Sequence, residues 1–121
     1  MARSRRKAAR SRDTGAGVPP AELDVLGVLW TQDRATARQI RETMDKYRPM
    51  SHGAVVALLT RLEGKGLVGK EKGPVGKAFV YEPTRKADPI HKKVVRDIVD
   101  RLFAGDASKL IAAVRQQFPR A

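Results

Sequence analysis

Three apolar stripes of helical period, followed at Gly66 by a switch to the two-residue period of strands, set the narrowest limits on what this chain can fold into. Pro19-Pro20 pre-sets a helix start, and Leu23, Leu26, Gly27 and Trp30 then fall at i, i+3, i+4 and i+7. Val25 and Leu29 broaden that face, and Trp30, the sole tryptophan, is expected to anchor a core. Thr31-Gln32-Asp33-Arg34 reads as a polar turn. Thr36 is placed to cap a second helix in which Ala37, Ile40 and Met44 share a face, with Arg38 and Arg41 off it. Tyr47-Arg48-Pro49 breaks the chain, and Ser51 stands where a third helix needs its N-cap. Val55, Leu58, Leu59 and Leu62 repeat the stripe, and Gly64 and Gly66, around Lys65, stop it.

Beyond Gly66, Leu67-Val68-Gly69-Lys70-Glu71-Lys72 and Lys77-Ala78-Phe79-Val80-Tyr81 read as two strands around the turn Gly73-Pro74-Val75-Gly76. Three short helices with a tight break before the third make a helix-turn-helix, and a basic hairpin directly after it makes a wing. The expected fold is mainly α with a small β-hairpin wing: a winged helix-turn-helix over residues 20–84, a basic arm over 1–19 and a helical dimerisation region over 85–121.

Charge points to the class of partner. The chain carries +12, from 25 Lys+Arg against 13 Asp+Glu, which favours a polyanion such as double-stranded DNA. The excess is uneven. Residues 1–19 carry +5, residues 20–84 carry +2 and residues 85–121 carry +5. Residues 1–19 have almost no large apolar side chains, so they cannot offset their ordering entropy and are expected to be disordered. Their basic residues Arg3, Arg5, Arg6, Lys7, Arg10 and Arg12 are expected to track phosphates, with a solubilising tail as the alternative. The arm lacks the apolar face needed to insert into an anionic membrane, so no membrane partner is expected.

An apolar fraction of 41% suffices for a compact core, and 5% aromatic residues make that core aliphatic. The chain has no cysteine, which excludes disulfides and thiolate metal sites. No apolar run approaches the roughly 18 residues that span a bilayer, and no apolar signal region opens the chain, so a soluble cytoplasmic protein is expected.

After the wing, Asp88-Pro89 is expected to provide an N-cap followed by proline at the first helical position. Ile90, Val94, Ile98 and Leu102, with Val95, Val99 and Phe103 beside them, form a wide apolar stripe that Gly105 closes. Asp106 or Ser108 starts a further helix carrying Leu110, Ile111, Val114 and Phe118. In a monomer this much stripe has little core left to cover; the alternative is that it packs back on its own winged helix.

From Ala21 to Pro83 the chain resembles the penicillinase-repressor (BlaI/MecI/CopY) family of winged-helix regulators. The resemblance rests on Glu22-Leu23-x-Val25-Leu26-x-x-Leu29-Trp30, on Thr36, and on Ser51 with Val55. It continues through Arg61-Leu62-x-x-Lys65-Gly66-Leu67-Val68 and Gly76-x-x-Phe79-Val80-Tyr81-x-Pro83. It implies a homodimeric repressor that covers a promoter palindrome and blocks polymerase. Members use the C-terminal region to interlock two subunits, and Leu102-Phe103-x-Gly105 resembles their inter-helix turn. Ala121 follows soon after the last helix, where members commonly have another, so a smaller interface and a weaker dimer are expected. Effector chemistry does not carry over. Copper-responsive members hold a C-terminal cysteine cluster that is absent here, and the Asn-Phe bond cleaved in antibiotic-responsive members falls at Ala113-Val114.

Helical spacing turns His52, Gly53, Val56, Ala57 and Thr60 towards the major groove, and Ser51 and Arg61 complete the set expected to bind DNA from this helix. No Arg, Asn or Gln occupies the groove-facing positions 52, 53, 56, 57 and 60 to pair bidentately with guanine or adenine. His52 and Thr60 are expected to hydrogen-bond, and Val56 and Ala57 to touch thymine methyls. Thr36, Arg38, Lys70, Lys72 and Lys77 are expected on the backbone, so much of the recognition would rest on charge and DNA shape. Two alternatives stay open: an architectural, largely sequence-independent DNA-coating protein, and a winged helix that binds another protein. An enzyme is not expected. His52 and His91 lie in different helices, no phosphate loop, Gly-x-Ser-x-Gly elbow or HExxH is present, and no cofactor or metal is implied. His91 reads as a solvated residue rather than a ligand.

Overall fold

The computed structural model describes residues 17–73, 76 and 78–120. The arm's basic residues, and Pro74, Val75 and Lys77, lie outside that range.

Helix α1 (Pro20–Gln32) starts on proline, whose fixed φ suits the first helical position. It ends where Asp33 turns left-handed (φ +70), its N–H donating to the Leu29 carbonyl at 2.7 Å. Its buried face is Glu22, Val25, Leu26, Val28 and Leu29. The expected stripe was therefore rotated: Leu23 and Trp30 are only half-buried at its margin. The core also takes in Val18, 3% exposed, from the segment read as an arm.

Strand β1 (Ala35–Thr36) runs directly into α2 (Ala37–Met44). Thr36 serves both elements. Its hydroxyl accepts from the Gln39 N–H at 3.1 Å while the Gln39 side chain accepts from the Thr36 N–H at 2.8 Å, a reciprocal capping box. Ala37, Ile40 and Met44 are buried, as their spacing requires. The break follows, and Arg48 within it forms an ion pair with Asp24 of α1.

Helix α3 (His52–Gly64) opens under Ser51, whose hydroxyl accepts from the Ala54 N–H at 3.1 Å, and buries Val55, Leu58, Leu59 and Leu62. Its end is a Schellman turn: the Leu67 N–H reaches the Leu62 carbonyl and the Gly66 N–H the Glu63 carbonyl, both at 3.0 Å. Gly66 has φ +77, a conformation that costs glycine little.

Strands β2 (Val68–Lys72) and β3 (Phe79–Pro83) form the hairpin, in register from Val68 opposite Pro83 to Lys72 opposite Phe79. The sheet has three strands in the order β1-β3-β2, because Ala35 and Thr36 pair antiparallel with Tyr81 and Val80. This tie fixes the wing to the start of α2.

A 3-10 turn (Arg85–Ala87) leads into α4 (Asp88–Phe103), followed by α5 (Ala107–Gln117). Asp88 is not the expected N-cap. The turn passes into the helix without a break, so Asp88 is already helical and no side chain caps that end. Ala104 (φ +50) and Gly105 (φ +85) reverse the chain, and Asp106 caps α5 by accepting from the Ser108 N–H at 3.0 Å. The Ser108 hydroxyl, more than the backbone N–H groups of Ser108 and Lys109, holds the Asp106 carboxyl below its usual pKa. Neither α4 nor α5 has a buried residue. Ile90 is their residue packed against the core, and the exposed His91 sets its ring edge-on to Trp30, centroids 4.7 Å apart. Packing back on the winged helix is thus confined to the root of α4.

Candidate nucleic-acid interface

The core holds one side of α3 and leaves the other to solvent. Ser51, His52, Gly53, Ala57, Thr60 and Arg61 are exposed, while Val56 is half-buried and packs on the core. The polar groups of this face are not equally free. The Ser51 hydroxyl is engaged in the cap, and the Thr60 hydroxyl donates to the Val56 carbonyl of its own helix at 2.9 Å. His52 and Arg61 are left with side chains that make no hydrogen bond or ion pair among the described residues. Thr60 was expected to offer a hydrogen bond outward; its back-bonding (a local option for threonine in helices) is not visible in residue spacing.

His52 and Val56 also wall a cleft of about 300 Å3 between α3, the start of α2 and the wing, completed by Thr36, Ala37, Arg38, Ala78, Phe79 and Tyr81. The sheet tie through β1 brings these segments together, so Thr36 and Arg38 stand beside α3. Thr36 is half-buried, and its side chain is used in the capping box. Arg38 pairs with Glu42 one turn along at 3.2 Å, but the two side chains are 77% and 53% exposed. Such a pair is weak enough to exchange for a phosphate.

The wing's lysines differ. Lys72 is exposed and forms no ion pair among the described residues. Lys70 instead lies with its ammonium 4.5 Å from the Phe79 ring centre and 3.7 Å from Glu63. It is partly neutralised and holds the wing to α3. Arg34, which sequence reasoning left in a turn, contacts Glu71 on β2 at 2.5 Å and Glu82 on β3 at 3.7 Å. It therefore braces the hairpin from the β1 side. Its partners lie 37 and 48 positions away, so no local signal pointed to it.

At the other end, Ile98, Leu102, Ile111, Val114 and Phe118 are exposed, and Ile90, Val94, Phe103 and Leu110 are half-buried. Of the eight large hydrophobic residues exposed among the described residues, six lie between Val95 and Phe118. Lone exposed apolar residues are ordinary on a folded chain, but a concentration of this kind is not.

The helical trio, the wing tied to α2 and the exposed third helix define a winged-helix regulator. Solved structures agree on the fold. The chain aligns with the YusO protein from Bacillus subtilis at TM-score 0.66 and 24% identity, covering 88% of this chain and 77% of that one. It aligns with a mutant MarR from E. coli, complexed with operator DNA, at TM-score 0.64 and 16% identity, covering 98% and 93%. The chain belongs to the penicillinase repressor family, whose model matches residues 18–119. It is 28% identical to the penicillinase repressor of Staphylococcus aureus over 75% of this chain and 71% of that protein. It is 26% identical to the methicillin resistance regulatory protein MecI of Mammaliicoccus sciuri over 78% and 75%. The family is one of DNA-binding transcriptional repressors, not enzymes. No helix among the described residues is long and apolar enough to cross a membrane.

Proposed function

We propose that this protein represses transcription by covering promoter DNA as a homodimer, with α3 of each subunit in the major groove of one half-site. The observation that carries the reading is the solvent-facing side of α3, from Ser51 to Arg61, with Arg38 across the cleft from it and an exposed Lys72 on the wing. A helix is narrow enough to enter the major groove of B-DNA, and cations on either side of it meet the phosphates. Arg38, Lys72, Lys77 and the basic residues of the arm supply the backbone contacts. The apolar faces of α4 and α5, from Ile90 to Phe118, join the subunits and space the two recognition helices.

A second reading, an architectural protein that coats DNA with little sequence preference, draws support from how few groove-facing side chains of α3 are free to hydrogen-bond. Competition separates the two. A labelled fragment of the gene's own upstream region is bound at near-physiological salt and challenged with excess unrelated duplex. The repressor reading expects the complex to survive, because specific complexes are typically about 10³-fold or more tighter than non-specific ones. Equal displacement by both duplexes favours the coating protein.

A further inference from the structure

The free side chains on the outward face of α3 bear on which base the helix reads. Six of its candidate residues are exposed, yet Gly53 and Ala57 carry no polar group, the Ser51 hydroxyl is held as an acceptor by the Ala54 N–H, and the Thr60 hydroxyl spends its donor on the Val56 carbonyl. Arg61 lies in the last turn of α3, roughly 13 Å along the axis from His52. In helix-turn-helix docking it is the N-terminal part of the recognition helix that meets base edges, and the far end meets backbone. His52 is the first residue of α3, is exposed, and lines the cleft between α3, Arg38 and the wing.

We infer that His52 is the residue by which this repressor selects a guanine in each half-site, its imidazole N–H donating to the base's major-groove edge. This inference rests on the repressor reading above. The chemistry favours guanine because its edge presents two acceptors, N7 and O6, side by side. Both purines offer N7, but adenine carries a donor amino group where guanine has O6, so it is a hydrogen bond donated at the O6 position that distinguishes them. The neighbouring Val56 and Ala57 add apolar contact without competing for that edge.

The test begins with duplexes that the wild-type protein enriches from a pool with a randomised core. The wild type is expected to enrich a guanine at one fixed position of each half-site and to lose about tenfold in affinity when that guanine becomes adenine. His52→Ala should bind the guanine and adenine duplexes alike, with its circular dichroism unchanged. His52→Gln should move the preference to adenine, whose N6 and N7 a glutamine can engage together. A role for His52 in folding alone would not redirect the preference. His52→Ala retaining the wild-type guanine preference would overturn the inference while leaving a sequence-reading repressor intact. A wild-type protein that enriches no common sequence would overturn the repressor reading itself, and the inference with it.

Discussion

Lys65→Ala is expected to lower the stability of the protein by roughly 2–3 kcal/mol, the largest loss from any single substitution at an exposed cation here. Lys65 stands at the C-cap of α3, half in solvent, and its ammonium reaches 2.6 Å to a Glu22 carboxylate oxygen in the first turn of α1. The Glu22 side chain is only 4% exposed. Each charge suits its helix end, the acid at an N-terminus and the cation at a C-terminus. Removing the lysine leaves a buried carboxylate without its ion-pair partner, and that is the costly outcome. The partial exposure of Lys65 keeps the loss below that of a fully enclosed pair. Glu22→Met in the Lys65→Ala background should recover most of the stability, since an apolar side chain of similar volume needs no partner. Urea midpoints for the wild type, the single variant and the double variant measure this. An unchanged midpoint for Lys65→Ala would mean that the pair contributes nothing.

A still larger functional effect is expected from Leu102→Glu combined with Ile111→Glu. Leu102 is 71% and Ile111 52% exposed, and α4 and α5 bury no residue of their own. The winged helix should therefore keep its unfolding midpoint. What fails is the association proposed for these faces, because charged groups there would have to be desolvated without partners. Sedimentation should then show a monomer. Affinity for a two-half-site duplex should drop about 10²–10⁴-fold as the second recognition helix ceases to be held at high effective concentration. A variant that remains dimeric would place the interface elsewhere on the molecule.

The parts of this fold that could be read in the sequence are those governed by local chemistry. The caps at Thr36 and Ser51, the Gly66 stop and the stripe from Val55 to Leu62 each depend on residues within one or two helical turns, and each stands where expected. What escaped depends on distant neighbours. Strand β1 is two residues long, too short to show a period, and exists because Tyr81 and Val80 pair with it. The buried face of α1 turns towards Val25 and Leu29 because α2 and α3 cover it from one side, leaving Leu23 and Trp30 at the edge. The burial of Glu22 depends on Lys65, 43 positions on, which no local pattern shows.

The candidate interface divides in the same way. Period alone predicted which residues of α3 face outward, and all but the half-buried Val56 are exposed. It could not tell which hydroxyls remain available. Nor could it tell that Lys70 is drawn to Glu63 and Phe79 while Lys72 is left without an ion pair among the described residues.

Hydroxyl-radical footprinting on an enriched duplex tests the central claim most directly. A homodimer with one α3 in each half-site predicts two protected patches of equal strength, related by two-fold symmetry. Their centres should lie on one face of the duplex, a whole number of helical turns of about 34–36 Å apart. A single protected patch, or even protection along the whole duplex, would contradict it.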